Sequence, residues 1–346
     1  MSGLARYTTR KILRISSDSE IPLIGCIAFG LIDRGTNLIQ VRPITTCPLS
    51  CVFCSTDAGP HSRNRQTEYV IDDLDYIVEE FRKIVAFKGP KHIEAHIDTV
   101  GDPLTYPKLV DLVQELATTP GVEVISLQTH GVLLTEKLVE ELDSAGLSRI
   151  NLSIDALDPE LAKFLSNTPS YDVEKIVRIA EYIAKSTNID LLIAPVWVPG
   201  LNDKEIPKII ELALKIGAGK KWPPLGIQKY IPHKRGRKPR NIKPMSWSEF
   251  YRRLQILEKR YDVKLILRPS DFGIHKRKSI KAPFKIGEIV RAKVVAPGWL
   301  KNEIIATARG FCITVVRASL EQFPIGTEVF VRILRTKHNI LIGKIA

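Results

Sequence analysis

Acidic residues run short in the last third of this sequence: residues 218–346 hold 8 Asp and Glu against 29 Lys and Arg. Residues 1–217 carry the opposite balance, 30 acidic against 22 basic, so the formal charge of +13 hides a switch of sign near residue 218. A net of +21 over the C-terminal part suits a polyanion, nucleic acid first; a solvated charge run or an anionic membrane surface is the alternative. Cysteine is also sparse, five in 346 residues, which excludes a disulfide framework. No uninterrupted apolar run reaches the roughly 18–20 residues of a membrane span. The opening MSGLARYTTRKILR lacks the apolar stretch of a secretory signal. The expectation is a cytoplasmic protein without membrane contact.

Short apolar runs alternate with amphipathic stretches from residue 36 to residue 275. NLIQVRPI (37–44), KHIEAHIDTV (91–100), VEVISLQTH (122–130), RINLSID (149–155), DLLIAPVWV (190–198), LGIQKYI (225–231) and VKLILR (263–268) read as strands. The stretches 72–87, 106–119, 135–146, 173–186, 204–217 and 247–261 place apolar residues at helical spacing. Alternation of this kind predicts βαβ units and a parallel sheet, as a doubly wound sheet, a closed eight-fold barrel or an open partial barrel. Residues 1–35 form an N-terminal extension. From 283 to 346 the helical period disappears, and short alternating runs broken by Gly and Pro predict a small all-β barrel. Between the two lies the basic, Pro-rich stretch 230–246, expected as a surface loop.

Three of the five cysteines fall within eight residues: Cys47, Cys51 and Cys54, directly after the first expected strand. Three thiolates at this spacing can converge on one metal group and leave one coordination position open, which catalysis needs and a structural site avoids. A zinc site completed by His61 or Cys26 is the alternative.

Cys47-x3-Cys51-x2-Cys54, with the aromatic Phe53 before the last cysteine, resembles the signature of the radical S-adenosylmethionine (SAM) superfamily. The resemblance implies a partial (β/α)6 barrel, one [4Fe–4S] cluster on the three cysteines, SAM on the open iron, a 5′-deoxyadenosyl radical, and a flavodoxin- or ferredoxin-like reductant. Gly101-Asp102-Pro103-Leu104 resembles the family's Gly-Glu-Pro-Leu segment at the cofactor's amino group, with Asp102 in place of the usual Glu. Thr129 opens a stretch similar to the family's Thr-Asn-Gly strand end. Ser153 and Asp155 resemble its Ser-x-Asp pair at the ribose and carboxylate, and they alternate with apolar neighbours on one strand face. Val198 and Gly200 match the fifth-strand loop near adenine.

Residues 283–346 resemble a TRAM domain, the small OB-like barrel of several RNA-modifying enzymes, on Gly287-Glu288-Ile289-Val290, Gly310-Phe311 and Gly326-Thr327-Glu328-Val329. That implies an RNA partner, tRNA first, with phosphate contacts from Arg317, Arg332, Arg335 and Lys337, and with Phe311 or Trp299 available for stacking. Lys234, Arg235, Arg237, Lys238 and Arg240 follow the sixth expected strand, at the end of a parallel sheet where active sites sit. The expected function is radical modification of an RNA base; a small-molecule or peptide substrate is the alternative. Methylthiolation calls for a second cysteine-rich domain, and the stretch before the first expected strand offers only Cys26. Cys26 and Cys312 read as buried core thiols or as a methyl-carrying thiol.

Overall fold

A computed structural model describes residues 10–346. The segment 1–9, part of the expected extension and of the stretch read for a signal, lies outside the described residues. Strands β1 (Lys11–Ile15), β2 (Gly30–Asp33), β3 (Leu38–Arg42) and β4 (Thr67–Ile71) precede the first helix, α1 (Leu74–Lys88). There follow β5 (Ile93–Ile97), α2 (Leu109–Ala117), β6 (Val122–Thr129), α3 (Glu136–Ser144), β7 (Arg149–Leu152), α4 (Pro159–Ser166), α5 (Val173–Ser186) and β8 (Asp190–Ile193). The α/β part ends with β9 (Val196–Trp197), α6 (Glu205–Ile216), β10 (Gln228–Lys229) and α7 (Trp247–Tyr261). Helix starts follow ordinary capping chemistry: Asp73, Thr135, Asp158, Asp172 and Ser246 each accept a bond from a first-turn amide.

The main sheet runs β2-β3-β5-β6-β7-β8, parallel except for β2, which is antiparallel to β3 at one edge. A parallel bridge from Ile193 to Leu225 and the parallel pair β9–β10 carry the curl to a sixth parallel strand. The result is the partial (β/α)6 barrel that the strand–helix alternation and the cysteine resemblance together imply. One face of each strand packs under the helices through Ile39, Val41, Ile97, Leu127, Ile150 and Ile193, all buried. The other face is polar: Gln40, Arg42, Glu94, His96, Gln128, Arg149 and Asn151 occupy the alternate positions. Parallel strands covered on both sides are normally apolar throughout, so this alternation marks a lumen meant for water or a ligand.

Several expected boundaries move. Residues 30–33, assigned to the extension, supply the antiparallel edge strand, and 11–15 pair with the unexpected strand β4. Residues 263–268 form no strand, because the Leu265 and Ile266 amides donate to Glu258 Oε1 of α7 at 2.7 and 2.8 Å instead of to a ladder.

The C-terminal strands β11 (Ile289–Pro297), β12 (Glu303–Ala308), β13 (Phe311–Val316), β14 (Glu328–Arg335) and β15 (Ile342–Ile345) close into a five-stranded barrel, order β11-β12-β13-β15-β14. It has its own core around Val294, Ile304, Ile313, Val331 and Leu341. Its wall is stitched to the α/β part: Tyr69 Oη donates to Pro297 O at 2.7 Å, and Gln66 Nε2 to Gly298 O and Glu303 O at 3.0 and 2.8 Å. Cys312 N donates to Ile24 O at 2.8 Å, and the Arg65 guanidinium lies 4.8 Å from the centre of the Trp299 ring.

Candidate functional site

The cysteine loop leaves β3 and is held from three sides. Arg65, buried with Glu68, donates through Nη1 to Thr45 O at 2.7 Å and through Nε to Thr56 O at 3.1 Å, and its Nη2 bonds Val100 O. The amides of Ser50 and Val52 donate to Ser166 O and Leu165 O at the end of α4. From the basic stretch, Arg237 donates its amide to Cys54 O at 2.8 Å, Nε to Cys51 O at 2.7 Å and Nη1 to Asp57 Oδ1 at 2.8 Å. A Cβ at Gly236 would lie 2.6 Å from Cys54 O, so glycine lets that stretch lie directly on the cysteine loop.

Cys51 is buried; Cys47 and Cys54 are half-buried. Burial pushes the Cys47 thiol up to about 12, helped by the Asp102 carboxylate, and holds Cys51 well above its ordinary range, with the neighbouring cysteines adding to the effect. Arg65 acts against this at Cys47 and Arg237 at Cys51. Desolvated thiols become ligands when cations compensate them, and here two guanidiniums already supply part of that compensation. Among the described residues, no three His, Cys, Asp or Glu side chains converge tightly enough to share one metal ion.

Around this loop the expected cofactor residues come together, with some changes of task. A Cβ at Gly101 would run into the Thr45 and Thr46 carbonyls, so the turn after β5 can close on the cysteine loop only as glycine. Asp102, almost wholly buried, does not reach into open space. Its carboxylate accepts from Thr129 Oγ1 at 2.8 and 3.0 Å, from His130 N at 3.1 Å and from Leu104 N at 3.0 Å, and so ties the turn to the end of β6. The shorter acid is fully engaged by the chain. Ser153 accepts from Gln128 Nε2 at 3.0 Å. Asp155 Oδ1 accepts from Val196 N at 2.8 Å, its Oδ2 lies 3.9 Å from His130 Nδ1, and burial raises its pKa. Cys51, His130, Asp155 and Tyr171 line a void of about 10 Å³. Val198 is fully buried and packs in the core, while Gly200 makes an exposed turn bonded to Asp203. Phe53 is buried beside Cys51.

The expected RNA-contact residues divide. Arg237 is a clamp on the cysteine loop and Arg235 pairs with Glu303 of the C-terminal barrel, so both are spent on internal contacts. Lys234, Lys238 and Arg240 are exposed, and the last two line a cleft of about 620 Å³ with Val52, His61 and Arg63. Arg317, Arg335 and Lys337 are exposed on the barrel, and Arg332 is half-buried against Gly287 O. Trp299 is buried under Arg65 and presents no free face, while Phe311 is half-buried and packs edge-on against Phe284. Cys26 and Cys312 are buried at the seam, where Cys312 Sγ meets Pro22 O at 3.0 Å. Arg65, His130 and the lumen residues His96, Gln128 and Asn151 went unnoticed in the sequence. The polar–apolar alternation within the parallel strands could have found the last three.

A cysteine triad on the first βα loop of a partial parallel barrel, with the second, third and fourth strand ends folded over it, defines a SAM-cleaving iron–sulfur enzyme. The profile of the Radical SAM superfamily matches residues 41–213, and the chain belongs to that superfamily. Its cofactors are those of the family, a [4Fe–4S] cluster and SAM; bound together, they supply the 5′-deoxyadenosyl radical. An uncharacterized protein of Methanocaldococcus jannaschii is 45% identical over 99% of this chain and 82% of its own length. A GTP 3′,8-cyclase of Syntrophomonas wolfei is 33% identical over 53% of each chain, and one of Chlorobaculum tepidum 29% over 52% and 50%. This chain therefore spans about half the length of the cyclases it matches. A solved structure of TYW1 with a lysine–pyruvate adduct is similar at a TM-score of 0.47 and 18% identity, covering 70% of this chain and 80% of that one. No helix among the described residues is long and apolar enough to cross a membrane.

Proposed function

We propose that this radical SAM enzyme modifies a base of RNA, tRNA first. Cys47, Cys51 and Cys54 carry the cluster. Ser153, Asp155 and the Gly101 turn face SAM, with Asp102 and Thr129 positioning that turn, Phe53 packing behind the cluster, and the Val198–Gly200 loop framing the adenine side. The observation that carries the RNA reading is the seating of the basic stretch on the cysteine loop. Arg237 fixes it there, and Lys234, Lys238 and Arg240 stay free beside the 620 Å³ cleft. A polyanion bound by these cations lies over the cluster. The unit 36–275 then acts as the catalytic domain. The barrel at 283–346 acts as a TRAM-type RNA grip through Arg317, Arg332, Arg335 and Lys337, and a flavodoxin- or ferredoxin-like protein supplies the electron.

The names of the GTP 3′,8-cyclases that share the SAM domain favour a second reading, a free nucleotide as substrate. Anaerobic reconstitution with dithionite and SAM separates the two. 5′-Deoxyadenosine formation stimulated by unmodified tRNA and not by GTP supports the RNA reading, and the reverse supports the nucleotide. Electrophoretic shift of bulk tRNA should weaken steeply with salt; an affinity that hardly changes between low and high salt overturns the RNA reading.

A further inference from the structure

Inside the partial barrel lies a cavity of about 510 Å³, ordinary in size for a small-molecule site. One wall is aromatic, with Trp247, Phe250 and Tyr251 from α7, and Phe272 at the floor. The lining also takes in the polar lumen face, where His96 of β5, Gln128 of β6 and Asn151 of β7 stand on three adjacent strands. Gln128 and Asn151 are register partners, and His96 pairs with Ser126, two residues before Gln128 on β6.

Two of the three, His96 and Asn151, have one polar end fixed by the protein. Ser126 Oγ donates its only hydrogen to Glu94 Oε1 at 2.6 Å, an oxygen that also takes Arg149 Nη2 at 2.6 Å. Ser126 therefore accepts from His96 Nδ1–H at 2.7 Å, which leaves His96 Nε2 as a bare acceptor. Arg149 can only donate, and its Nε takes Asn151 Oδ1 at 3.0 Å, so Asn151 offers Nδ2–H. Gln128 gives Nε2 to Ser153 Oγ at 3.0 Å and keeps Oε1 as an acceptor. Arg149 is itself held between Trp222 and Phe272, at 4.7 and 5.0 Å from the ring centres, and the Glu94–Arg149 pair is buried. The His96 and Asn151 ends are thus preset before any ligand arrives, and Gln128 presents Oε1.

Across β7, β6 and β5 the lumen presents donor, acceptor, acceptor. We infer that this wall reads a planar heterocycle whose edge runs acceptor, donor, donor, which among the nucleobases is guanine: O6 to Asn151, N1–H to Gln128 and the N2 amine to His96, with the aromatic wall against its face. Adenine and cytosine place an amine opposite the Asn151 donor, and uracil lacks the second donor. This rests on the reading that a nucleobase is the substrate, and it holds whether the base belongs to RNA or to a free nucleotide.

The test is equilibrium binding of guanosine, inosine, adenosine, cytidine and uridine to the reconstituted holoenzyme with SAM, followed by saturation-transfer NMR. Guanosine should bind best. Inosine, lacking only the N2 amine, should bind about ten-fold more weakly. In His96→Ala that difference should vanish while cluster content stays as in the wild type. Equal binding of adenosine or uridine, or a guanosine–inosine gap that survives His96→Ala, overturns the assignment. Should His96→Ala fail to fold, discrimination among the five nucleosides by the wild type decides alone. Guanosine selectivity without tRNA binding rejects the RNA reading and keeps the lumen assignment; tRNA binding without guanosine selectivity does the opposite.

Discussion

Replacing Arg237 by alanine separates a phosphate contact from a structural clamp. The guanidinium is 16% exposed and its partner Asp57 is 1% exposed, so solvent screens this pair little. Breaking a buried pair by removing one member costs about 3–5 kcal/mol. Asp57 keeps bonds on Oδ2 from Ser62 Oγ, Arg63 N, Asn64 N and Asn64 Nδ2, so only Oδ1 is orphaned. That moves the cost to the lower end, and the lost bond to Cys51 O brings the whole to about 4 kcal/mol. At roughly 2 °C per kcal/mol for a chain of this size, Tm falls by about 8 °C. Because the lost bonds end on the cysteine loop, iron and sulfide content after reconstitution should fall as well. The assay pairs calorimetry and iron analysis with the salt dependence of tRNA affinity. Arg237→Ala should leave the slope of log affinity against log salt unchanged. Lys238→Ala and Arg240→Ala should each lower it by about one and leave Tm alone. An Arg237→Ala protein with wild-type Tm and iron but a reduced slope refutes the clamp.

Alanine at Cys47, Cys51 or Cys54 should abolish the iron–sulfur absorption band and 5′-deoxyadenosine formation together; retained cluster in any one of the three would displace that residue from the ligand set. Gly101→Ala forces the Thr45 and Thr46 carbonyls aside, and iron content after reconstitution should drop even though no ligand has changed. Burial holds the His96 imidazole below its ordinary 6.5, with Arg149 on β7 and Arg42 on β3 acting the same way, and with Asp98 just past the end of β5 and Glu94 on β5 opposing. Nucleoside binding should therefore stay flat as pH falls through 6.5 and weaken only below it, since protonation removes the Nε2 acceptor. A midpoint at or above 6.5 would place the titrating group elsewhere. Cys312→Ala should lower Tm and leave SAM cleavage intact, because the thiol packs at the barrel seam.

What could be read without coordinates was whatever depends on period and local chemistry. The cysteine triad, the strand–helix alternation and the all-β tail are patterns of neighbouring residues, and each reappears in the fold. The partners of side chains far apart in sequence were not readable. Arg237 reads as one cation among five because its meeting with Cys51 O and Asp57 is a contact across about 180 positions. Asp102 reads as a ligand for a cation because nothing local shows that Thr129, His130 and Leu104 already saturate it. Strands β2 and β4 escaped for a related reason, since short runs such as GLID and TEYVI gain strand character only from the neighbour they pair with.

The lumen is the case where a local pattern carried more than a strand assignment. In IEAHI the polar residues fall on the same phase as Gln128 in β6 and Asn151 in β7, and in a parallel sheet that phase has to face something other than helices. Burying that many polar groups around an empty space is costly unless a ligand completes them. The proposed SAM site takes the upper rim, at Ser153 and Asp155. Below it, the His96–Ser126–Glu94–Arg149 chain spends a buried ion pair on fixing the direction of a single imidazole lone pair. A fold needing only stability would gain as much from apolar side chains at these positions. Replacing Glu94 and Ser126 together by Leu and Ala leaves Arg149 buried without its partner, a cost of about 3–5 kcal/mol or about 6–10 °C of Tm, and in the folded variant should erase the preference for guanosine over inosine. A double variant that unfolds would make the chain a structural element and leave the nucleoside selectivity of the wild type to stand or fall by itself.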